Sequence, residues 1–386
     1  MTMRRRDFLG IGASVAAMSV VPRVLAQDKS APSRKLLVLV ELKGGNDGLN
    51  TVVPYADPLY AKLRPRLGIA REQLVTLTDR AALHPSLEKL MPTWRDGNLA
   101  IVQGVGYPQP NLSHFRSIEI WDTGSKSEEY LEDGWLARAF AQSPSPAEYV
   151  SDGVAVGTAD LGPLSGSRAR AIALTDPDRF LRNARLARPE GEARNAALRH
   201  ILKVENDVQQ SARRLTRGRD FKTEFPAGPF GLAVKTAAQL AANPAGVAAI
   251  RLSLAGFDTH ANQAGLHGNL LRQVGEGLAA LRAALEEADR WDTTLIATYS
   301  EFGRRAHENQ SNGTDHGTSN VHFVMGGQVK GGLHGAPPAL DRLDGNGNLP
   351  FAVDFRGYYG TILDRWWSID AAGVFGNRYS SMDFLA

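Results

Sequence analysis

A chain of 386 residues, 43% apolar and 22% charged, can bury a large core and has the composition of an ordinary globular protein. It contains no cysteine, which excludes disulfides, cysteine-held zinc and thiol catalysis and leaves His, Asp, Glu, Ser and Thr to carry any chemistry. The formal net charge of +3 rests on the first residues, so it points to neither nucleic acid nor acidic lipid as a partner.

Those first residues read as an export signal. Arg4-Arg5-Arg6-Asp7-Phe8-Leu9 has the form of a twin-arginine motif. Ile11 to Val21 is a mild apolar run, too short and too weak to span a membrane, and Val24-Leu25-Ala26 has the small-residue pattern of a cleavage site. Removing residues 1–26 takes away four arginines and one aspartate and leaves the mature chain formally neutral. The expected organisation is a signal peptide, 1–26, and a single domain, 27–386. The expected partner in transit is the twin-arginine export machinery, with a periplasmic or secreted destination and no stable membrane span. A plain basic N-terminus is the alternative. The twin-arginine route carries proteins already folded, which suits loading of a metal before export.

Past a polar linker, Lys35 to Leu42 is a continuous apolar run, the pattern of a strand buried on both faces. It leads into Gly44-Gly45-Asn46-Asp47-Gly48-Leu49-Asn50, where glycines allow a sharp turn. Tyr55 to Leu67 reads as a proline-punctuated loop with short helical potential. Pro85 to Asp96 reads as a helix stopped by Gly97, and Leu99 to Gln103 as a strand. A Gly/Pro loop follows, then Asn111-Leu112-Ser113-His114-Phe115, where Ser113 opens a helix through Trp121. Gly134 to Gln142 is a further helix, Ala155 to Ser167 a glycine-rich loop or short strands, and Arg170 to Leu174 a strand. Pro189 to Arg217 has a charged, helical composition. Leu232 to Ala242 is an apolar helix and Val247 to Leu254 a strand that ends in Gly256-Phe257-Asp258-Thr259-His260. Leu266 to Trp291 is a long amphipathic helix. Two strands, Thr293 to Tyr299 and Val321 to Met325, flank Ser300-Glu301-Phe302-Gly303-Arg304-Arg305 and Gly313-Thr314-Asp315-His316-Gly317. Gly and Pro dominate from Gly326 to Leu349, and Tyr358 to Ile369 closes the chain as a helix. The alternation predicts an α/β protein with a doubly wound, mostly parallel sheet and helices on both faces.

In such a sheet the carboxyl ends of the strands share one rim, and polar clusters distant in sequence meet there. Four clusters follow apolar runs: Asn46-Asp47, Asn111 to His114, Asp258 to His260, and Glu301 to Arg305. A fifth, Asp315-His316, precedes one. Each alone has a structural explanation: a glycine turn for Asp47, a helix cap for Ser113, a hydrogen-bonded histidine for His260, a loop ion pair for Glu301. Their recurrence points to a site. Asp258 and His260 are two apart, on one face of an extended segment. Carboxylate with imidazole suits zinc, manganese or iron, and carboxylate alone magnesium or calcium. With Asp47, Glu301, Asp315 and His316 there are ligands for one or two divalent ions. Ser113 at a helix N-terminus lies where an anion is favoured, and Arg304 or Arg305 can hold phosphate or sulfate in a bidentate grip. His114 is a poor base for Ser113, since adjacent helical side chains diverge.

The set GGNDGLN, NLSHF, GFDTHANQ, SEFGRR and GTDHG, followed by an apolar strand and GG, resembles the DUF1501 family of exported bacterial proteins, from about Leu36 to the C-terminal helix. That family is similar to the alkaline phosphatase and sulfatase superfamily. The resemblance implies an alkaline-phosphatase-like fold, up to two metals, a small anionic ester substrate and hydrolysis of phosphate or sulfate esters. Under it Asp47 resembles the first-strand metal aspartate, Ser113 the nucleophile, Asp258 and His260 an Asp/His pair on one metal, and His316 the late histidine ligand. The superfamily has Asp-His where this chain has Glu301-Phe302. Glu301 can stand in for the aspartate; Phe302 cannot bind metal. A non-catalytic exported binding or assembly protein with a degenerate metal site is the alternative.

Overall fold

The computed structural model describes residues 35–175 and 219–385. The expected signal peptide and the segment Pro189 to Arg217, expected to be helical, lie outside the described residues. Twelve strands are described: β1 (Leu36–Lys43), β2 (Val52–Val53), β3 (Val75–Thr76), β4 (Ala82–Leu83), β5 (Leu99–Gly106), β6 (Ser151–Val156), β7 (Ala171–Leu174), β8 (Val247–Ala255), β9 (Thr294–Tyr299), β10 (Asn320–Met325), β11 (Gly332–Gly335) and β12 (Val353–Asp354). The main sheet has the order β11-β5-β10-β9-β1-β8-β6-β7, with β12 also paired to β5; β2, β4 and β3 form a small sheet apart.

Central β1 shows why the sheet is buried on both sides. Leu36, Val38, Val40 and Leu42 point into one core, and Leu37 and Leu39 into the other. The first core is closed by the helices Pro229–Ala242 and Gln263–Glu287, the second by His114–Thr123, Trp135–Gln142 and Phe355–Thr361. Each fully buried Leu or Val on these strands contributes about 2 kcal/mol of burial. The architecture is the expected α/β sheet with helices on both faces.

β1 pairs parallel to β8 and to β9, and β6 parallel to β8 and to β7. β10 runs antiparallel to both β9 and β5. β5 therefore shares the direction of β9 and β1, and their carboxyl ends form one rim. The reversal of β10 brings its amino end to that rim, so residues 300–319 leave and re-enter the sheet at the same edge. Among the described residues, no helix is long and apolar enough to cross a membrane.

Some elements differ from expectation. Pro85 to Asp96 is a 3-10 turn, Pro85–Leu90, running into a short α-helix, Met91–Arg95, with Pro92 in its first turn. The helix expected over Tyr358 to Ile369 starts at Phe355 and widens into a π-helix, Ile362–Trp367, and a short helix, Ala371–Phe375, follows it. β11, an edge strand in the Gly/Pro-rich region, carried no apolar run to announce it.

Candidate metal centre

The loops after β5, β8 and β9, and the loop into β10, meet at the rim. Ser113 is the N-cap of the helix His114–Thr123, and its N–H donates to Asn111 Oδ1 at 2.9 Å, a local turn that fixes the helix start. Gly44 and Gly45 hold positive φ of 118° and 80°. A Cβ on Gly44 would lie 2.4 Å from the Asp258 backbone nitrogen, and one on Gly45 2.4 Å from the Phe302 ring, so only glycine lets β1 end this close to its neighbours.

Three imidazoles surround one carboxylate. His316 Nδ1 donates to the Leu112 carbonyl at 2.8 Å, and His114 Nδ1 to Glu301 Oε1 at 2.9 Å. His260 Nδ1 faces Asp315 Oδ1 at 3.4 Å. With protons on the Nδ1 atoms, each Nε2 offers a lone pair. His260 and His316 Nε2 lie 3.0 and 3.1 Å from Asp258 Oδ1, and His114 Nε2 lies 3.3 Å from Oδ2. The Nε2 atoms of His260 and His316 stand 2.9 Å apart. His114 Nε2 is buried with no aligned hydrogen-bond partner among the described residues. His114, Asp258 and His316 each bring one ligand atom within 4.8 Å of the other two.

Converging lone pairs and a carboxylate repel unless a cation lies among them. Donors at roughly 2 Å from a shared tetrahedral ion stand about 3.3 Å from one another. The contacts along Asp258, between 3.0 and 3.3 Å, fit that spacing. Oxygen acceptors behind the Nδ1 atoms are the supporting arrangement of metal-binding histidines. The donor set thus fits a divalent ion.

Charge is tuned to match. Burial works to raise the Asp258 carboxyl, but the Arg304 guanidinium, through its hydrogen bond and its charge, leads the interactions that outweigh it and bring its pKa down to about 2. Burial lowers the His316 pKa, which favours the neutral ligand form. The hydrogen bond to Glu301 raises that of His114. The Asn309 hydrogen bond helps hold Asp315 below the usual carboxylate range.

The sequence-derived candidates divide into those at the centre and those behind it. Asp258, His260 and His316 meet as expected. Glu301 is one step back: its buried Oε1 accepts from Gly44 N–H at 2.8 Å and from His114 Nδ1, so it holds the His114 ring. Asp315 stands in the same way behind His260. The expectation that Arg304 grips a substrate anion is revised. Its buried guanidinium donates to the carbonyls of Gly44, Gly45, Thr314 and Phe257 and to Asp258 Oδ1 at 2.7 Å, so it is committed to holding the loops together rather than exposed to a ligand. Arg305 is half-exposed, and its buried Nε has no partner among the described residues. The expectation for Asp47 is revised too: it is buried in a bidentate ion pair with Arg64, at 2.7 and 3.1 Å, away from the three imidazoles. Ser113 is exposed at the rim and makes no side-chain capping bond. His114, which was not among the metal candidates expected from the sequence, joins the cluster. Its signal in the sequence was its place beside Ser113 after a strand, but its partner Glu301 is 187 residues away.

No curated protein matches the sequence. Among solved structures, the chain is similar to the zinc complex of the C-terminal periplasmic domain of EcEptC from Escherichia coli, at 12% identity over 77% of this chain and 74% of that one, with a TM-score of 0.41. It is similar to the phosphonate monoester hydrolase SpPMH from Silicibacter pomeroyi at 10% identity over 90% and 78%, with a TM-score of 0.42. It is also similar to alkaline phosphatase from the Antarctic bacterium TAB5 at 11% identity over 78% and 94%, with a TM-score of 0.31. The family described as protein of unknown function (DUF1501) matches residues 34–346, the greater part of the sequence, and the chain belongs to that family.

Proposed function

We propose that this is an exported hydrolase of phosphate or sulfate esters working with a divalent ion held by His114, Asp258, His260 and His316. The observation that carries the reading is the convergence of three imidazole Nε2 atoms on the Asp258 carboxylate, each Nδ1 turned towards an oxygen. Imidazoles in that number favour zinc over magnesium or calcium. A bound ion would supply Lewis acidity at the rim.

The remaining work falls to the chain. Ser113 is the attacking group in this reading, supported by its exposed place at the N-terminus of a ten-residue helix whose free N–H groups favour an anion. Arg305, half-exposed beside Asp315, holds the ester's anionic group. Arg304 fixes Asp258, Glu301 fixes His114 and Asp315 fixes His260. The twin-arginine motif and cleavage after Ala26 deliver the protein to the periplasm or the medium. A second reading, a non-catalytic protein that keeps its ion for binding, is favoured by Phe302 where the resemblance to phosphatases implies a ligand.

Protein loaded with zinc or manganese is assayed on p-nitrophenyl phosphate and p-nitrophenyl sulfate. Turnover is expected in the natural chain, with loss in Ser113→Ala at unchanged metal content and loss of turnover and ion together in His316→Ala. Full turnover in Ser113→Ala removes the serine from its role. A metal-loaded natural chain inert to both ester classes leaves the binding reading.

A further inference from the structure

We propose that this centre is complete with a single ion, and that Asp47 braces the ligand loops from behind instead of binding a second one. The inference rests on the reading above that the imidazole cluster holds metal at all. Asp47 follows β1, where the resemblance implies a metal ligand, yet its charge is already matched. Arg64 Nη1 and Nη2 donate to its two carboxylate oxygens, and both side chains are fully buried, at 0% and 1% exposure. Arg64 is itself pinned: Nε donates to the Ala306 carbonyl at 2.6 Å and Nη2 to that of Arg305 at 2.9 Å. An ion on Asp47 would have to displace a guanidinium that cannot leave, and would strand a buried cation. Burial works to raise the Asp47 carboxyl, but Arg64 outweighs it and keeps the group below the usual carboxylate range.

Gln263 tells what the pair does. Its Nε2 donates to Asp47 Oδ2, and its Oε1 accepts from Thr259 Oγ1 at 3.0 Å and from Thr314 Oγ1 at 2.6 Å. Thr259 lies between Asp258 and His260, and Thr314 immediately precedes Asp315-His316. All three of these side chains are buried. One amide thus ties both ligand-bearing loops to the Arg64–Asp47 pair, which in turn holds the loop at Arg305 and Ala306. Asp47, Arg64 and Gln263 are positioning residues: a fixed guanidinium supplies the positive charge that a second ion would otherwise bring.

The test is metal counting on the full chain by equilibrium dialysis against Zn²⁺ and against Mn²⁺. One equivalent is expected in the natural protein, lost in His316→Ala and retained at weaker affinity in Asp47→Asn. Gln263→Leu removes the tie without touching a charge, and should keep one equivalent while weakening binding about 10- to 100-fold, the usual effect of losing an outer support of a metal site. Two equivalents in the natural protein, the second lost in Asp47→Asn, overturn the proposal and leave the metal centre standing. Unchanged affinity in Gln263→Leu overturns the bracing role. No bound ion in the natural protein overturns the metal reading beneath it, and this inference with it. Should Asp47→Asn not fold, the natural protein and Gln263→Leu still decide.

Discussion

Glu301→Gln separates a residue that orients a ligand from one that is a ligand. Glu301 is buried, and its Oε1 accepts from Gly44 N–H at 2.8 Å and His114 Nδ1 at 2.9 Å. A glutamine oxygen can still accept both bonds, but it no longer puts negative charge behind the imidazole. His114 Nε2 then becomes a weaker donor to an ion, and its ring is held less firmly. Removing an outer partner of a metal-bound histidine weakens binding about 10- to 100-fold, or about 1.4 to 2.7 kcal/mol. Competition with a chromophoric chelator reads the affinity directly. Thermal melting with and without excess ion gives an independent measure, because the ion's contribution to stability grows as RT ln(1 + [L]/Kd). Two results refute the reasoning. Affinity equal to that of the natural chain means the carboxylate does not act on His114. Complete loss of the ion, as expected for His316→Ala, means that Glu301 is itself a ligand.

His322 is buried on β10 with neither ring nitrogen partnered among the described residues, and burial lowers its pKa from 6.5 to about 3. The unfolded chain gains its proton first, so stability falls as pH drops below ~6.5, by about 2 kcal/mol at pH 5; urea melts of His322→Leu should lack that part of the slope, and parallel pH profiles would contradict a neutral buried imidazole. For export, Arg5→Lys with Arg6→Lys should leave uncleaved precursor in the cytoplasm, and normal periplasmic yield from that double variant would sink the twin-arginine reading.

The sheet was legible because β1, β5, β8 and β9 are apolar on both faces, a pattern that alternating solvent-facing strands do not share. From parallel strands it followed that clusters after them share a rim, and Asp258, His260, Glu301 and His316 do gather there. The direction of β10 was not legible. A run of apolar residues packs equally well either way, and residues 300–319 between β9 and β10 are enough for a return at the same edge or a crossover to the other. Arg64 was hidden for another reason. It lies in a proline-flanked loop with no pattern of its own, and its partner Asp47 sits in a motif that reads naturally as a ligand. Local sequence shows which groups are charged; which charges cancel is decided by packing between segments far apart.

Phe302 is the residue that the resemblance to phosphatases left hardest to account for, since a ligand is implied there and phenylalanine has none to give. Its ring is buried, with its centroid 4.9 Å from that of His114 and 4.6 Å from that of His316. Gly45, at positive φ, leaves the space the ring fills. An apolar wall against two imidazoles restricts their rotation and lowers the local dielectric, which strengthens whatever their Nε2 atoms bind. The nitrogen missing at 302 is then matched by His114, reaching the same carboxylate from the helix after β5 and steadied by Glu301, the residue just before Phe302. On the proposed reading Glu301 is the acceptor behind His114 and Phe302 the packing for two imidazoles, so a phenylalanine at 302 is compatible with a metal centre that includes His114.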